Sequence, residues 1–141
     1  MPFLSAADEQ AVRHEFEKLK GPVKLTVFAS ELGGENNQQT VALAREVAAL
    51  SDRISVQVLN PLIEREQAQA YGVDVTPAIA VEGAADYGIR FLGIPAGYEF
   101  ANLIDSIIVA STGELALSAA TKEALDGLGE DVTIKVFTTP T

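Results

Sequence analysis

Cysteine is absent from this 141-residue sequence, and His14 is its only histidine. Without cysteine the chain has no disulfide bonds, no zinc–thiolate centre and no cysteine nucleophile. A lone imidazole between Arg13 and Glu15, on a predicted amphipathic helix, is typical of a solvated surface residue. No Ser-His-Asp set is convincing. We therefore expect no catalytic residue, no metal site and no cofactor in this chain.

Positive charge and long apolar runs are also scarce. The 10 Lys and Arg residues are outnumbered by 20 Asp and Glu residues, which gives a net charge of -10. Nucleic acid and anionic membranes are bound through clustered cations, so we expect neither as a partner. The run Phe100–Ala110 is interrupted by Asp105 and is shorter than the roughly 20 residues of a membrane span. Residues 1–10 lack the basic and apolar regions of a signal peptide, so the expected location is the cytoplasm.

The apolar pattern predicts helices alternating with strands. Hydrophobic residues make up 48% and charged residues 21% of the chain, as in a globular domain. The predicted helices cover Leu4–Lys20 with Ser5 as N-cap, 36–50, 63–70 and about 98–108, and the predicted strands cover Val23–Ala29, 54–58, 78–81 and 89–92. The last two strands are expected to form a hairpin. The order predicts an α/β fold with a four-stranded mixed sheet between helical layers.

The end of the chain repeats its beginning. Leu4-Ser5-Ala6-Ala7 recurs as Leu117-Ser118-Ala119-Ala120, and Val23–Phe28 recurs in pattern as Val132–Phe137. We therefore predict a domain over residues 1–111, and over 112–141 the helix and first strand of an incomplete second unit.

The predicted second-unit strand, Gly129–Phe137, places apolar residues at period two. An unpaired strand leaves main-chain donors and acceptors open. We expect a homodimer in which this strand pairs with another copy, and which weakens when the residues after about Leu128 are removed.

Three segments carry a family resemblance: Val75–Ala78, Arg90–Phe100 and Val136–Thr141. They resemble the tandem protein disulfide oxidoreductases, or glutaredoxin-like proteins, of bacteria and archaea. The resemblance implies two thioredoxin-like three-layer folds. In the second unit of these proteins, the segment similar to Val136–Thr141 is followed by Cys-Pro-x-Cys, so this chain is expected to be truncated one residue before it.

The resemblance also assigns site residues. Gly34 and Asn37 occupy the two positions of a CxxC motif found in the first unit of many relatives, and neither supplies the sulfur that thiol–disulfide exchange requires. The unit is therefore expected to be redox-inactive. Thr76 and Pro77 match the element in which the proline is cis and faces the active-site turn. The resemblance makes them candidate residues for binding a protein or peptide substrate.

Two alternatives remain open. Arg90–Phe100 is also similar to the N-terminal region of the flavin-dependent subunit of bacterial alkyl hydroperoxide reductase, whereas Tyr71–Pro77 favours the oxidoreductase branch. The chain is then either the non-catalytic half of an oxidoreductase, supporting a second thioredoxin unit that carries the catalytic cysteines, or an independent adaptor. Gly33-Gly34 before a helix is a weak phosphate-binding signal, and no Walker or dinucleotide motif accompanies it.

Overall fold

A computed structural model describes residues 2–139 of the chain. The helices are α1 (Ala6–Phe16), α2 (Glu35–Ala48), α3 (Arg65–Ala70), α4 (Tyr98–Thr112) and α5 (Ala119–Asp126), and the strands are β1 (Val23–Phe28), β2 (Ile54–Leu59), β3 (Ala78–Glu82) and β4 (Ile89–Leu92). The strand order in the sheet is β2-β1-β3-β4. β1 pairs with β2 in parallel, and β3 is antiparallel to both of its neighbours. The predicted order of elements and the β3–β4 hairpin are confirmed.

The first helix begins where the sequence indicates but ends earlier. The Ser5 side chain accepts a hydrogen bond from the Asp8 N–H, and the Asp8 carboxylate accepts one from the Ser5 N–H, which is a capping box. The helix ends at Phe16, four residues before the predicted Lys20. Leu19 lies beyond the helix and is buried, so the apolar period continues through a turn that is not helical.

Alternation along β1 divides the core between the two faces of the sheet. Val23, Leu25 and Val27 join a large cluster with α1, α2 and α4, whose members include Leu43, Val47, Leu103 and Ile107. Phe28 points to the other face and packs in a smaller cluster with α3. Both faces are therefore covered, as predicted for a three-layer α/β fold.

The tail beyond α4 repeats the local structure of the N-terminus but not its packing. Ser118 caps α5 by accepting a hydrogen bond from the Thr121 N–H, as Ser5 caps α1. α5 buries none of its residues. The expected strand at Gly129–Phe137 is not formed in residues 2–139, because a strand requires a neighbour in its ladder and none lies beside it. Pro140 and Thr141, the last residues of the resemblance segment Val136–Thr141, lie outside the described residues.

The sequence predicts that no helix is long and apolar enough to span a membrane. Within residues 2–139, no helix combines the length and apolar character that crossing a membrane requires.

Candidate functional site

Strand register brings four loops to one end of the sheet. Leu59, Phe28, Ala78 and Leu92 are aligned across β2, β1, β3 and β4. We call the surface formed by residues 29–37, 60–66, 74–77 and 92–99 the proline end. It contains all four residues that the sequence singled out, Gly34, Asn37, Thr76 and Pro77.

Asn37 closes the turn between β1 and α2. Its side chain is 3% exposed. The Asn37 Oδ1 accepts a hydrogen bond from the Ser30 N–H at 2.9 Å, and its Nδ2 donates to the Gly33 carbonyl at 2.7 Å. The amide thus satisfies one donor and one acceptor of the turn in a buried setting, where each would be costly if unpaired. Asn37 is thus a structural cross-link of the turn.

Gly34, which the sequence resemblance aligns with the first cysteine of a CxxC motif, has a main-chain conformation that favours glycine. Its φ is +79° and its ψ is -173°, and it stands immediately before α2 as N-cap. An L-residue at this φ is strained even though no atom lies within 4 Å of where its Cβ would be. A cysteine side chain at this position is therefore disfavoured by the backbone and not by crowding.

Thr76 and Pro77 form the loop that leads into β3. The peptide bond between them is cis. Pro77 is buried and Thr76 is exposed. The Pro77 carbonyl accepts a hydrogen bond from the Gly93 N–H at 2.8 Å, which ties the loop to the segment after β4. The loop is thus anchored on its proline side and open on its threonine side.

A groove adjoins this end of the sheet between α2 and the edge strand β2. Its volume is about 300 Å³. Its lining includes Ala29, Asn37, Val41 and Val58. Glu31 and Arg45 are its charged side chains. The groove is predominantly apolar and carries no pair of groups suited to acid–base chemistry.

The described part of the chain contains no arrangement of side chains suited to nucleophilic or metal-dependent chemistry. His14 is 76% exposed on α1, with 3.3 Å between its Nδ1 and the Glu17 Oε2. Within residues 2–139, no group of three or more His, Asp or Glu side chains is placed to hold a metal ion. The Ser30 hydroxyl accepts from the Leu32 N–H and has no base beside it.

A polar cluster on the α3 face was missed by sequence reasoning. The Tyr71 hydroxyl donates to the Glu82 carboxylate at 2.8 Å and accepts from the Lys24 ammonium at 3.1 Å. Lys24 also pairs with Glu82 at 3.1 Å. Thr26 donates to the same carboxylate at 3.3 Å. We call these four residues the Tyr71 cluster. Polar residues at alternate strand positions were its only sequence signal.

The Tyr71 ring links this cluster to α3 and to the loop that follows. It packs edge-on against Phe28 with 5.3 Å between ring centroids. The Arg90 guanidinium lies 5.3 Å from the Tyr71 ring centroid and donates to the Tyr71 carbonyl at 3.1 Å. Because Tyr71 is the C-cap of α3, the cluster fixes the end of the short helix that precedes Thr76.

Charge pairing shifts three pKa values around the cluster. The hydrogen bond to Tyr71, followed by the one to Glu82, raises the pKa of Lys24. The bidentate Arg90 contact lowers the pKa of Asp86 to about 2, and the same contact raises the pKa of Arg90.

Lys24 and Glu82 lie near the other end of the strands, roughly 13 Å along β1 from Phe28. The cluster therefore supports the proline end from a distance and does not belong to it.

Comparison with known proteins identifies the fold. The chain superposes on the N-terminal domain of the alkyl hydroperoxide reductase AhpF from Enterococcus faecalis with a TM-score of 0.79 and 24% identity, covering 86% of this chain and 59% of that one. A second structure of AhpF from the same organism gives 0.82 and 23%, covering 90% and 62%. A protein disulfide oxidoreductase from Aeropyrum pernix gives 0.78 and 27%, covering 91% and 56%.

No protein-family model matches the sequence, and no curated protein does either. The chain spans less than two thirds of the length of each of these three structural neighbours. It has a thioredoxin-like fold. Its neighbours, the alkyl hydroperoxide reductase N-terminal domain and the disulfide oxidoreductase, are thioredoxin-like proteins with tandem units.

Proposed function

We propose that this chain is a redox-inactive thioredoxin-like unit that docks a protein or peptide substrate at the proline end for a catalytic second unit. The observation that carries the proposal is Asn37. A cysteine pair would be the reactive element of such a turn, and here the second position holds an amide bonded to both sides of the turn. The Asn37 side chain stabilises the turn and supplies no thiol for exchange.

Docking is supported by the main chain at Thr76. Within residues 2–139, its N–H and C=O groups have no hydrogen-bond partner, and the residue is exposed. An extended polypeptide gains affinity by pairing its backbone with such open groups. The neighbouring Pro77 is buried and tied to Gly93, so the open groups are held in a fixed position. Binding of a polypeptide through these main-chain groups needs no thiol.

The absence of thiol chemistry is tested by insulin reduction with dithiothreitol, using a thioredoxin as positive control. We expect the chain to precipitate insulin no faster than the dithiothreitol blank. Acceleration by mass-verified protein would overturn the redox-inactive assignment.

Docking is tested with the reduced and alkylated insulin B chain as probe. We expect its addition to shift the amide resonances of residues at the proline end, Thr76 and Gly34 among them, before those elsewhere. Thr76→Val keeps the main chain and is expected to bind as the parent does. Thr76→Pro removes the N–H and is expected to bind several-fold more weakly, with its own amide spectrum showing whether it remains folded. Shifts scattered over the whole surface contradict the proposal.

The identity of the second unit is the finer part of the proposal. We favour a glutaredoxin-like disulfide oxidoreductase, and the N-terminal domain type of the alkyl hydroperoxide reductase flavin subunit is the alternative. The structural similarities to the two are comparable. The coding sequence after Thr141 distinguishes them from an independent adaptor: Cys-Pro-x-Cys supports the favoured parentage, whereas a stop codon supports the adaptor. A cytoplasmic location is part of the proposal and is tested by cell fractionation.

A further inference from the structure

Among the residues before the tail, exposed apolar side chains are concentrated at the proline end. Before the tail, nine large hydrophobic residues are exposed: Phe3, Leu32, Val58, Leu62, Ile63, Val75, Tyr87, Leu92 and Tyr98. Six of these nine belong to the proline end, and three are very open, since Leu32 is 90%, Tyr98 84% and Ile63 75% exposed. Scattered surface apolar residues need no explanation, but here most of them lie on loops at one end of the sheet, which indicates a contact surface.

Negatively charged residues lie on the same loops as these apolar side chains. The four segments of the proline end contain six carboxylates, Glu31, Glu35, Glu64, Glu66, Asp74 and Glu99. Arg65 is the single cationic side chain in the same segments. Glu64 is committed to the Asn60 N–H at 2.7 Å, and Glu35 accepts from Gln39 at 2.8 Å. Glu31, Asp74 and Glu99 have no partner within residues 2–139 and are exposed, so their charges are available to a bound molecule.

We propose that the proline end selects extended polypeptide segments that combine apolar side chains with Lys or Arg. The selection rests on the docking function proposed above. Main-chain pairing at Thr76 sets the extended form, in which successive side chains point to opposite sides. The apolar side chains of the bound segment then contact Leu32, Ile63 and Tyr98. Its basic side chains pair with the exposed carboxylates of Glu31, Asp74 and Glu99, which we call the carboxylate rim. The rim repels acidic segments, which gives specificity beyond what the apolar surface supplies.

The test compares two short synthetic peptides with the same Val and Leu positions, one with Lys and Arg and the other with Glu between them. Binding is measured by titration of amide resonances at low salt. We expect the basic peptide to bind roughly tenfold or more tightly than the acidic one, as several rim charge pairs allow. This difference is expected to shrink as salt is raised, because exposed charges are screened.

Two triple variants of equal net charge test whether the preference for the basic peptide comes from the carboxylate rim. The first variant is expected to bind the acidic peptide more tightly than the basic one. It combines Glu31→Lys, Asp74→Lys and Glu99→Lys. Changing Asp52, Glu123 and Asp126 to lysine gives the same net charge at positions outside the proline end and is expected to leave the preference unchanged. These six side chains have no hydrogen bond or ion pair in the described structure.

The outcomes separate this inference from the docking function. Equal binding of both peptides at the proline end leaves docking intact and overturns the charge selection. Reversal in both triple variants attributes the preference to net charge alone and overturns the rim. Shifts confined to other surfaces, or no shifts with either peptide, overturn docking itself and the inference with it.

Discussion

The Asn37 Oδ1 and the Ser30 main-chain N–H lie 2.9 Å apart and are joined by a hydrogen bond that is buried on both sides. Ser30 follows β1, and Asn37 belongs to the first turn of α2. The bond therefore spans the turn between β1 and α2. The Asn37 amide also bonds the Gly33 carbonyl, so it belongs to the framework that fixes this turn.

Removing this amide is expected to destabilise the fold. Asn37→Ala leaves the Ser30 N–H and the Gly33 carbonyl without their partner, at a cost of about 1–3 kcal/mol. Asn36→Ala is the matched control, because this neighbouring side chain is exposed, and it should change the free energy of unfolding by less than about 0.5 kcal/mol. Urea denaturation of both variants measures the difference. Equal values for the two would show that the Asn37 bonds contribute nothing net.

Restoring a side chain at Gly34 is expected to be costly for a different reason. The φ of +79° at this residue disfavours any L-residue, so Gly34→Ala should lower the free energy of unfolding by about 1–2 kcal/mol although the site is open. Thermal unfolding measures the loss, with Asn36→Ala again as control. A neutral result would mean that the turn adopts another conformation at little cost. In that case the argument against a cysteine at this position fails.

The fold was predictable from local sequence and the residues of the candidate site from the family resemblance, whereas the contacts that hold the site were not predictable from either. Periodicity and glycine or proline positions locate the strands and the loop at Pro77. The roles of Asn37 and Tyr71 depend on which main-chain groups and side chains meet after folding, as in the contact between Tyr71 and Glu82 on β3. Gly129–Phe137 shows the opposite case, in which a strand pattern is present but no neighbouring strand lies beside it.

The Tyr71 hydroxyl is expected to contribute measurably to stability. Tyr71→Phe keeps the ring against Phe28 and removes the hydroxyl from between Lys24 and Glu82, at a cost of about 1–2 kcal/mol. Tyr87→Phe removes an exposed hydroxyl and should be nearly neutral. Denaturant midpoints of the two variants provide the comparison. If Tyr71→Phe is as neutral as the control, the Lys24–Glu82 pair alone satisfies the cluster.

Acid is expected to weaken the fold partly through Asp86. Arg90 lowers the pKa of the folded carboxyl from 3.8 to about 2, so this contribution to stability is present above about pH 4 and is lost as the pH falls toward 2. Because the carboxylate is 36% exposed, screening limits the contribution to about 1 kcal/mol or less. Asp86→Asn should flatten the fall in unfolding free energy between pH 4 and 2, and Asp52→Asn should not. Parallel pH profiles for Asp86→Asn and the parent would exclude this pair as a source of the acid sensitivity.

Self-association through the tail is the last expected outcome. Val132, Ile134 and Val136 are 62%, 81% and 79% exposed, at the period of two that puts strand side chains on one face. β2 and β4 are the edge strands of the sheet, so each offers an unpaired side to an incoming strand. We expect a homodimer at high protein concentration, and a monomer after removal of the residues following Leu128.

A matched pair of substitutions tests whether one face of the tail drives this association. Ile134→Lys places a charge among the apolar residues and is expected to shift the chain toward monomer. Thr133→Lys adds the same charge on the opposite face and should preserve the dimer if the segment pairs as a strand. Sedimentation velocity over a range of concentrations gives the oligomeric state of each. A parent chain that stays monomeric at the highest concentration, or an equal loss in both variants, shows that the tail does not pair as a strand between copies.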